Sequence, residues 1–124
     1  MSKQQQKHIL VAEDDAFLAD MMRRALTTHG VRVSVAHNGQ QAIDSIDADP
    51  PDLLLLDLLM PYVDGYGVLM HRNEKKLAFP VIVCSNLSDA KDKSTCKTLG
   101  VSSYIVKSDI DDDHLWPVVQ KYLT

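Results

Sequence analysis

The sequence predicts an α/β domain: a five-stranded parallel sheet with helices on both faces. Three observations carry this reading. Apolar runs of strand length recur without polar alternation, as in "ILVA", "LLLL" and "VIVC". Segments of helical spacing or polar helical composition separate them, at a rhythm of ~20 residues. Strands that lack a polar side and alternate with helices are those of a parallel sheet buried between two helical layers.

Each element follows from local signals. Residues 9–12 read as the first strand, and "AFLADMMRRALTTHG" then sets Phe17, Leu18, Met21, Met22, Ala25 and Leu26 at helical spacing before a stop at Gly30. "VRVSVA" (31–36) is alternating and β-branched, a second strand, and "QQAIDSID" a helix that Asn38 caps. Pro50 and Pro51 break the chain before the apolar strand of "DLLLLD", and residues 65–77 suit a helix through Tyr66, Leu69, Met70 and Leu77. "PVIVCS" (80–85) is a fourth strand. From Ser88, "SDAKDKSTCKTLG" is a polar helix ending at Gly100, "SSYIVK" a fifth strand and "DDDHLWPVVQKYLT" a last helix. Pro117 conflicts with that helix, because an interior proline removes a hydrogen bond and typically costs ~3 kcal/mol. Either the helix kinks, or its regular part begins later than the acidic run suggests.

Composition sets the limits. With 124 residues, 45% of them hydrophobic, the chain fits one domain, expected over residues 8–124 after a polar tail at 1–7. A net charge of -4 lacks the basic footprint of a general nucleic-acid binder, so no direct nucleic-acid contact is expected. No apolar run reaches the ~20 residues that span a bilayer, and "MSKQQQKH" has no signal-peptide organisation, so no membrane contact and a cytoplasmic location are expected. Cys84 and Cys96 show no CxxC spacing and read as free thiols. His8, His29, His37, His71 and His114 form no ligand pair and read as surface or linker residues.

Chemistry concentrates at strand ends. In an open parallel sheet, ligands bind outside the carboxyl ends of the strands, where loops converge. Those ends carry Glu13, Asp14 and Asp15, then Asp57, Ser85 and Lys107. Taken singly, each has an ordinary explanation: a solvated loop acid, a helix cap (Asp15 above all) or a surface lysine. Together they form an acid cluster, and two unit charges ~4 Å apart repel by about 4 kcal/mol at an effective dielectric of 20. Such a cluster raises its own pKa values or recruits a hard cation, and an oxygen-only set without His or Cys suits Mg²⁺. Lys107 adds a cation fit for phosphoryl oxygens, and Ser85 a hydroxyl donor.

These residues resemble the receiver domain of two-component response regulators, through "ILVAEDD", "DLLLLDLLMPYVDG", "PVIVCS" and "GVSSYIVKS", over residues 8–123. The resemblance implies a flavodoxin-like fold with strand order 2-1-3-4-5. It implies that Asp57 accepts a phosphoryl group from a histidine kinase or phosphotransfer protein. Glu13, Asp14, Asp57 and the backbone carbonyl of Leu59 would hold Mg²⁺, with Lys107 and Ser85 on the phosphoryl oxygens and Tyr104 as the switching aromatic. Asp15 and Asp64 match family positions without an evident chemical role. The implied protein is a phosphoacceptor switch rather than an enzyme on other substrates, catalysing its own phosphorylation and dephosphorylation. A downstream effector protein would read it out, and a phosphorylation-dependent dimer is compatible with the same surface. Lys91, Lys93, Lys97, Tyr104 and Trp116 are the expected output surface, combining cations with aromatics.

Two positions depart from the family pattern. Ser108 follows Lys107 where proline, often after a cis bond, is common, which leaves that loop's geometry open. Asn86 follows Ser85 in place of a small residue, which points to an altered phosphate lifetime of undetermined sign. Three other functions compete. A haloacid-dehalogenase-like hydrolase wants a second Asp where Leu59 stands, and a flavodoxin-like binder wants a Ser/Thr-rich loop where "EDDA" stands. The third is a pseudo-receiver acting as a phosphorylation-independent interaction module, against which the intact set Glu13, Asp14, Asp57, Ser85 and Lys107 argues.

Overall fold

A computed structural model describes residues 6–86 and 90–123, apart from the Asp112 side chain. Five strands, β1 (His8–Ala12), β2 (Arg32–Ala36), β3 (Leu53–Leu56), β4 (Val81–Ser85) and β5 (Ser103–Val106), alternate with α1 (Ala16–Thr27), α2 (Gly39–Ala48), α3 (Gly65–Glu74), α4 (Ala90–Thr98) and α5 (Asp112–Gln120). The strands form one sheet in the order β2-β1-β3-β4-β5, and every pairing is parallel. This is the expected α/β architecture, with β1 and β3 side by side at its centre.

Successive strand residues point to opposite faces, so a run without polar alternation supplies two cores. Leu10, Ala12, Leu54, Leu56, Val81 and Val83 pack on one face with Ala42, Ile46, Val68, Leu69 and Cys96 from α2, α3 and α4. Ile9, Val11, Leu53, Leu55, Ile82 and Cys84 pack on the other with Met22, Leu26, Leu115 and Val119 from α1 and α5. Both cysteines are buried free thiols.

Side-chain caps set where helices begin. Asp15 Oδ1 accepts the N–H groups of Phe17 and Leu18, Asn38 that of Gln41, and Asp64 that of Gly67. Capping α3 is thus a role for Asp64 that its sequence position did not disclose. Helix α5 starts at Asp112, capped by Asp111, and runs through Pro117. It therefore does not begin after the acidic run. Pro117 is exposed, so water can satisfy the backbone groups it leaves unpaired.

Other expectations need correction. His8 is not a surface or linker residue: it opens β1 at 5% exposure, between β2 and β3. Phe17 and Met70 do not join the core faces of their helices, being 80% and 54% exposed. Helix α3 ends at Glu74, short of Leu77, with the chain reversing through Lys76 at φ 57. Its buried face includes Arg72, whose guanidinium donates twice to the Phe79 carbonyl (3.0 and 2.6 Å). The expected start of the fourth helix at Ser88 lies outside the described residues. No peptide bond among the described residues is cis, and Lys107–Asp109 form a single 3-10 turn.

Candidate functional site

The hydrogen-bond ladder of the sheet extends one residue past the central strands and delivers the acids. Glu13 N–H donates to the Ala36 carbonyl (2.9 Å), and Asp57 N–H to that of Ala12 (3.0 Å). Because β1 and β3 are adjacent, these two carboxylates meet at the carboxyl end of the sheet. They are 1% and 3% exposed. Asp14 is exposed beside them, and carboxylate oxygens of Glu13, Asp14 and Asp57 all lie within 4.8 Å of one another.

Lys107, just past β5, reaches across the end of β4 to both buried acids. Its Nζ is 2.8 Å from Glu13 Oε1 and 3.2 Å from Asp57 Oδ2. Two backbone amides hold the other oxygens: Asp15 N–H donates to Glu13 Oε2 (3.1 Å) and Leu59 N–H to Asp57 Oδ1 (3.3 Å). Ser85, 1% exposed, ends β4 in register with Val106, the residue before Lys107. Tyr104 sits half-buried on β5 opposite Val83.

The site is short of positive charge. Burial pushes Glu13 up to about 7, with Lys107 pulling the other way. Burial likewise raises Asp57, against the opposing effect of Lys107. Burial acts to lower Lys107, but Glu13 and Asp57 outweigh it and raise the ammonium's pKa. One lysine thus pairs with two desolvated carboxylates beside the exposed Asp14, and such a cluster raises its own pKa values, as Glu13 does, or binds a hard cation. The oxygen-only donors and their mutual spacing fit Mg²⁺, with Glu13, Asp14 and Asp57 as the side chains to hold it.

Sequence reasoning missed one positioning residue. Gly65 opens α3 against the Asp57 backbone, where a Cβ would stand 2.5 Å from the Asp57 carbonyl oxygen and 2.8 Å from Leu58 Cα. Its own N–H donates to the Leu58 carbonyl (2.9 Å). The signal was present in "DG" after the Met-Pro loop, but the adjacency of that turn to Asp57 is tertiary. The expected output surface is divided. Lys93 lies over the Tyr104 ring at 5.6 Å, and Lys97 lines the same cleft. Trp116 instead packs into the opposite core and stacks on His29, ring centroids 4.1 Å apart. The reason is direction: α5 turns that ring toward α1, not toward α4.

Comparison with known proteins agrees with this geometry. Residues 9–120 match the family model described as the response regulator receiver domain. A probable transcriptional regulator, ycf27, of Porphyridium aerugineum is 37% identical over 103 residues, 83% of this chain and 42% of its own length. The response regulator MprA of Mycobacterium avium is 32% identical over 80% of this chain and 43% of its own. The chain thus spans about two fifths of the length of these curated relatives. The receiver domain of the Francisella response regulator 1452 superposes with a TM-score of 0.88 at 27% identity, covering 95% of this chain and 97% of that one. A CheY-like receiver domain protein from Methanospirillum hungatei shares the fold, with a TM-score of 0.89 at 20% identity over 95% and 94% of the two chains. With sheet order, acid cluster and lysine in agreement, the chain belongs to the receiver domain family of two-component response regulators.

Proposed function

We propose that Asp57 is the phosphoacceptor of a Mg²⁺-dependent switch, receiving its phosphoryl group from the phosphohistidine of a histidine kinase or phosphotransfer protein. The observation that carries this reading is the buried pair Glu13 and Asp57 sharing one lysine, with Asp14 at the mouth. An Asp57 oxygen attacks phosphorus, the bond from phosphorus to the histidine nitrogen breaks, and the imidazole leaves with that electron pair. Water later attacks the resulting acyl phosphate, returning carboxylate and inorganic phosphate. Such transfer needs positioning and charge neutralisation more than proton movement.

This chain's residues divide that work. The Leu59 amide and the Lys107 ammonium orient Asp57, and Lys107 can turn from Glu13 and Asp57 to the new phosphoryl oxygens. Glu13, Asp14, Asp57 and the Leu59 carbonyl are the proposed metal ligands. When bound, Mg²⁺ supplies positive charge against the oxygens of the transferring group. Ser85 then donates to one of those oxygens, and Tyr104, paired through β4, carries the change to the α4–β5 surface that a downstream protein reads.

The test is intact-protein mass after incubation with acetyl phosphate, with and without Mg²⁺, for the wild type and Asp57→Asn. A labile gain of one phosphoryl group that needs both Mg²⁺ and Asp57 is expected. No gain under any condition, with the fold intact, would overturn the reading and leave a phosphorylation-independent interaction module.

A further inference from the structure

Helix α4 is the most weakly anchored helix flanking the site. Its single buried residue is Cys96. Among the described contacts, side-chain bonds to its neighbours add to that thiol. At its C-terminal end, Asn73 of α3 donates to the Leu99 carbonyl (2.9 Å). In its first turn, Tyr66 of α3 donates its phenol proton to Asp92 Oδ1 (2.9 Å). The next residue, Lys93, faces elsewhere, over the ring of Tyr104.

Consecutive helix residues point ~100° apart, so Asp92 and Lys93 tie the first turn of α4 in two directions, to α3 and to β5. A shift of the Tyr104 ring that displaced the backbone of Lys93 would also move Asp92, its neighbour in the same turn. A hydrogen bond already at 2.9 Å weakens steeply when its partners separate or tilt. Space for movement is present: a cleft of about 240 Å³ lies beside the ring, lined by Lys93, Cys96, Lys97, Val101 and Tyr104. Burial first, and the Asp92 contact second, push the Tyr66 phenol above its ordinary value, so it remains the donor.

We propose that the Tyr66–Asp92 hydrogen bond is a latch on the first turn of α4, holding the helix where it stands while Asp57 carries no phosphoryl group. Cys96 and the Asn73–Leu99 bond act as the pivot. Tyr66 is thereby a positioning residue that sets how readily the Ser85–Tyr104 side of the sheet responds to the site. The inference rests on the phosphoacceptor reading of Asp57 and deepens it. A phenol bonded to a carboxylate is among the stronger neutral-to-charged contacts, and its loss is enough to move a two-state balance by about tenfold.

The experiment titrates beryllofluoride with Mg²⁺, a stable mimic of the phosphoryl group, into the wild type, Tyr66→Phe, Asp92→Ala and the double variant. Binding is followed by backbone hydrogen exchange across 90–98. Each single variant is expected to exchange faster in α4 without the mimic and to need about tenfold less of it for half-saturation. The double variant should match the singles, because both remove one bond. Saturation of the wild type with an unchanged midpoint in Tyr66→Phe, even at a lower melting temperature, would overturn the latch alone. No saturable binding by the wild type would bring down the phosphoacceptor reading, and the latch with it.

Discussion

Strand β1 carries a buried polar group at each end, and the two ends are built differently. At its start, His8 shares its Nε2 with Ser34 Oγ (2.8 Å), and its backbone N–H donates to Asp52 Oδ2 (2.8 Å). Arg32 is paired with Asp49 (3.0 Å), whose carboxylate is 3.9 Å from His8 Nδ1. Arg32 and Asp49 are each about half-exposed, so water shares in balancing the charge there, and the ring leaves one buried nitrogen, Nδ1, without a hydrogen-bond partner among the described residues. Past its other end, Glu13 and Asp57 are as deeply buried, yet share one lysine between them and stand beside a third acid. The first arrangement joins β1 to its two neighbouring strands; the second leaves an electrostatic deficit that a proton or a cation would relieve.

Removing Lys107 strains that contrast most. In a chelator, Lys107→Met is expected to lose about 3 kcal/mol of stability, because it strands two buried carboxylates. The urea midpoint measures it, and added Mg²⁺ should restore more of the loss than it adds to the wild type. An unchanged midpoint would mean that the protein already satisfies those acids, and the two ends of β1 would not differ in kind.

A smaller effect separates structural from chemical acids in the same loop. Asp15→Ala removes the α1 cap and should cost about 1 kcal/mol in denaturant unfolding. It should leave Mg²⁺ affinity within twofold. A large loss of metal affinity would place Asp15 among the ligands instead.

The His8 end should respond to pH, and least of the three. Burial first, with Arg32 adding to it, holds the ring below its ordinary value of 6.5, against the pull of Asp49 and Asp52. The unfolded chain therefore binds its proton at a higher pH than the folded one. This contribution to stability is full above pH 6.5 and is lost as pH falls toward the lower folded-state value. Replacing His8 with Gln should flatten that part of the stability profile; an identical slope would assign it to other groups.

Much of this was legible in the chain, for reasons that differ by residue. Leu53 to Leu56 announce a strand buried on both faces, and Asp15 and Asn38 stand directly before the helices they cap, so local patterning suffices. Glu13, Asp57 and Lys107 follow their strands immediately, and a parallel sheet gathers such ends on one edge. His8 was misread because a polar residue opening a strand looks the same whether β2 covers it or water does. Phe17 fits a helical stripe in spacing but sits in the first turn, beyond the reach of the sheet. Tyr66 and Asp92 are 26 residues apart, and neither carries a local sign of the other.

The sequence by itself determined the five strand-helix units, their parallel arrangement, and the acids and lysine placed at strand ends, because periodicity, caps and strand ends are properties of neighbouring residues. Only the tertiary structure decided that Lys107 bridges Glu13 and Asp57, that Arg72 and His8 are buried, that Trp116 turns to His29, and that Tyr66 bonds Asp92 of α4. Those contacts depend on how helices settle against the sheet, where side chains distant in the chain compete for the same space and the same few hydrogen-bond partners.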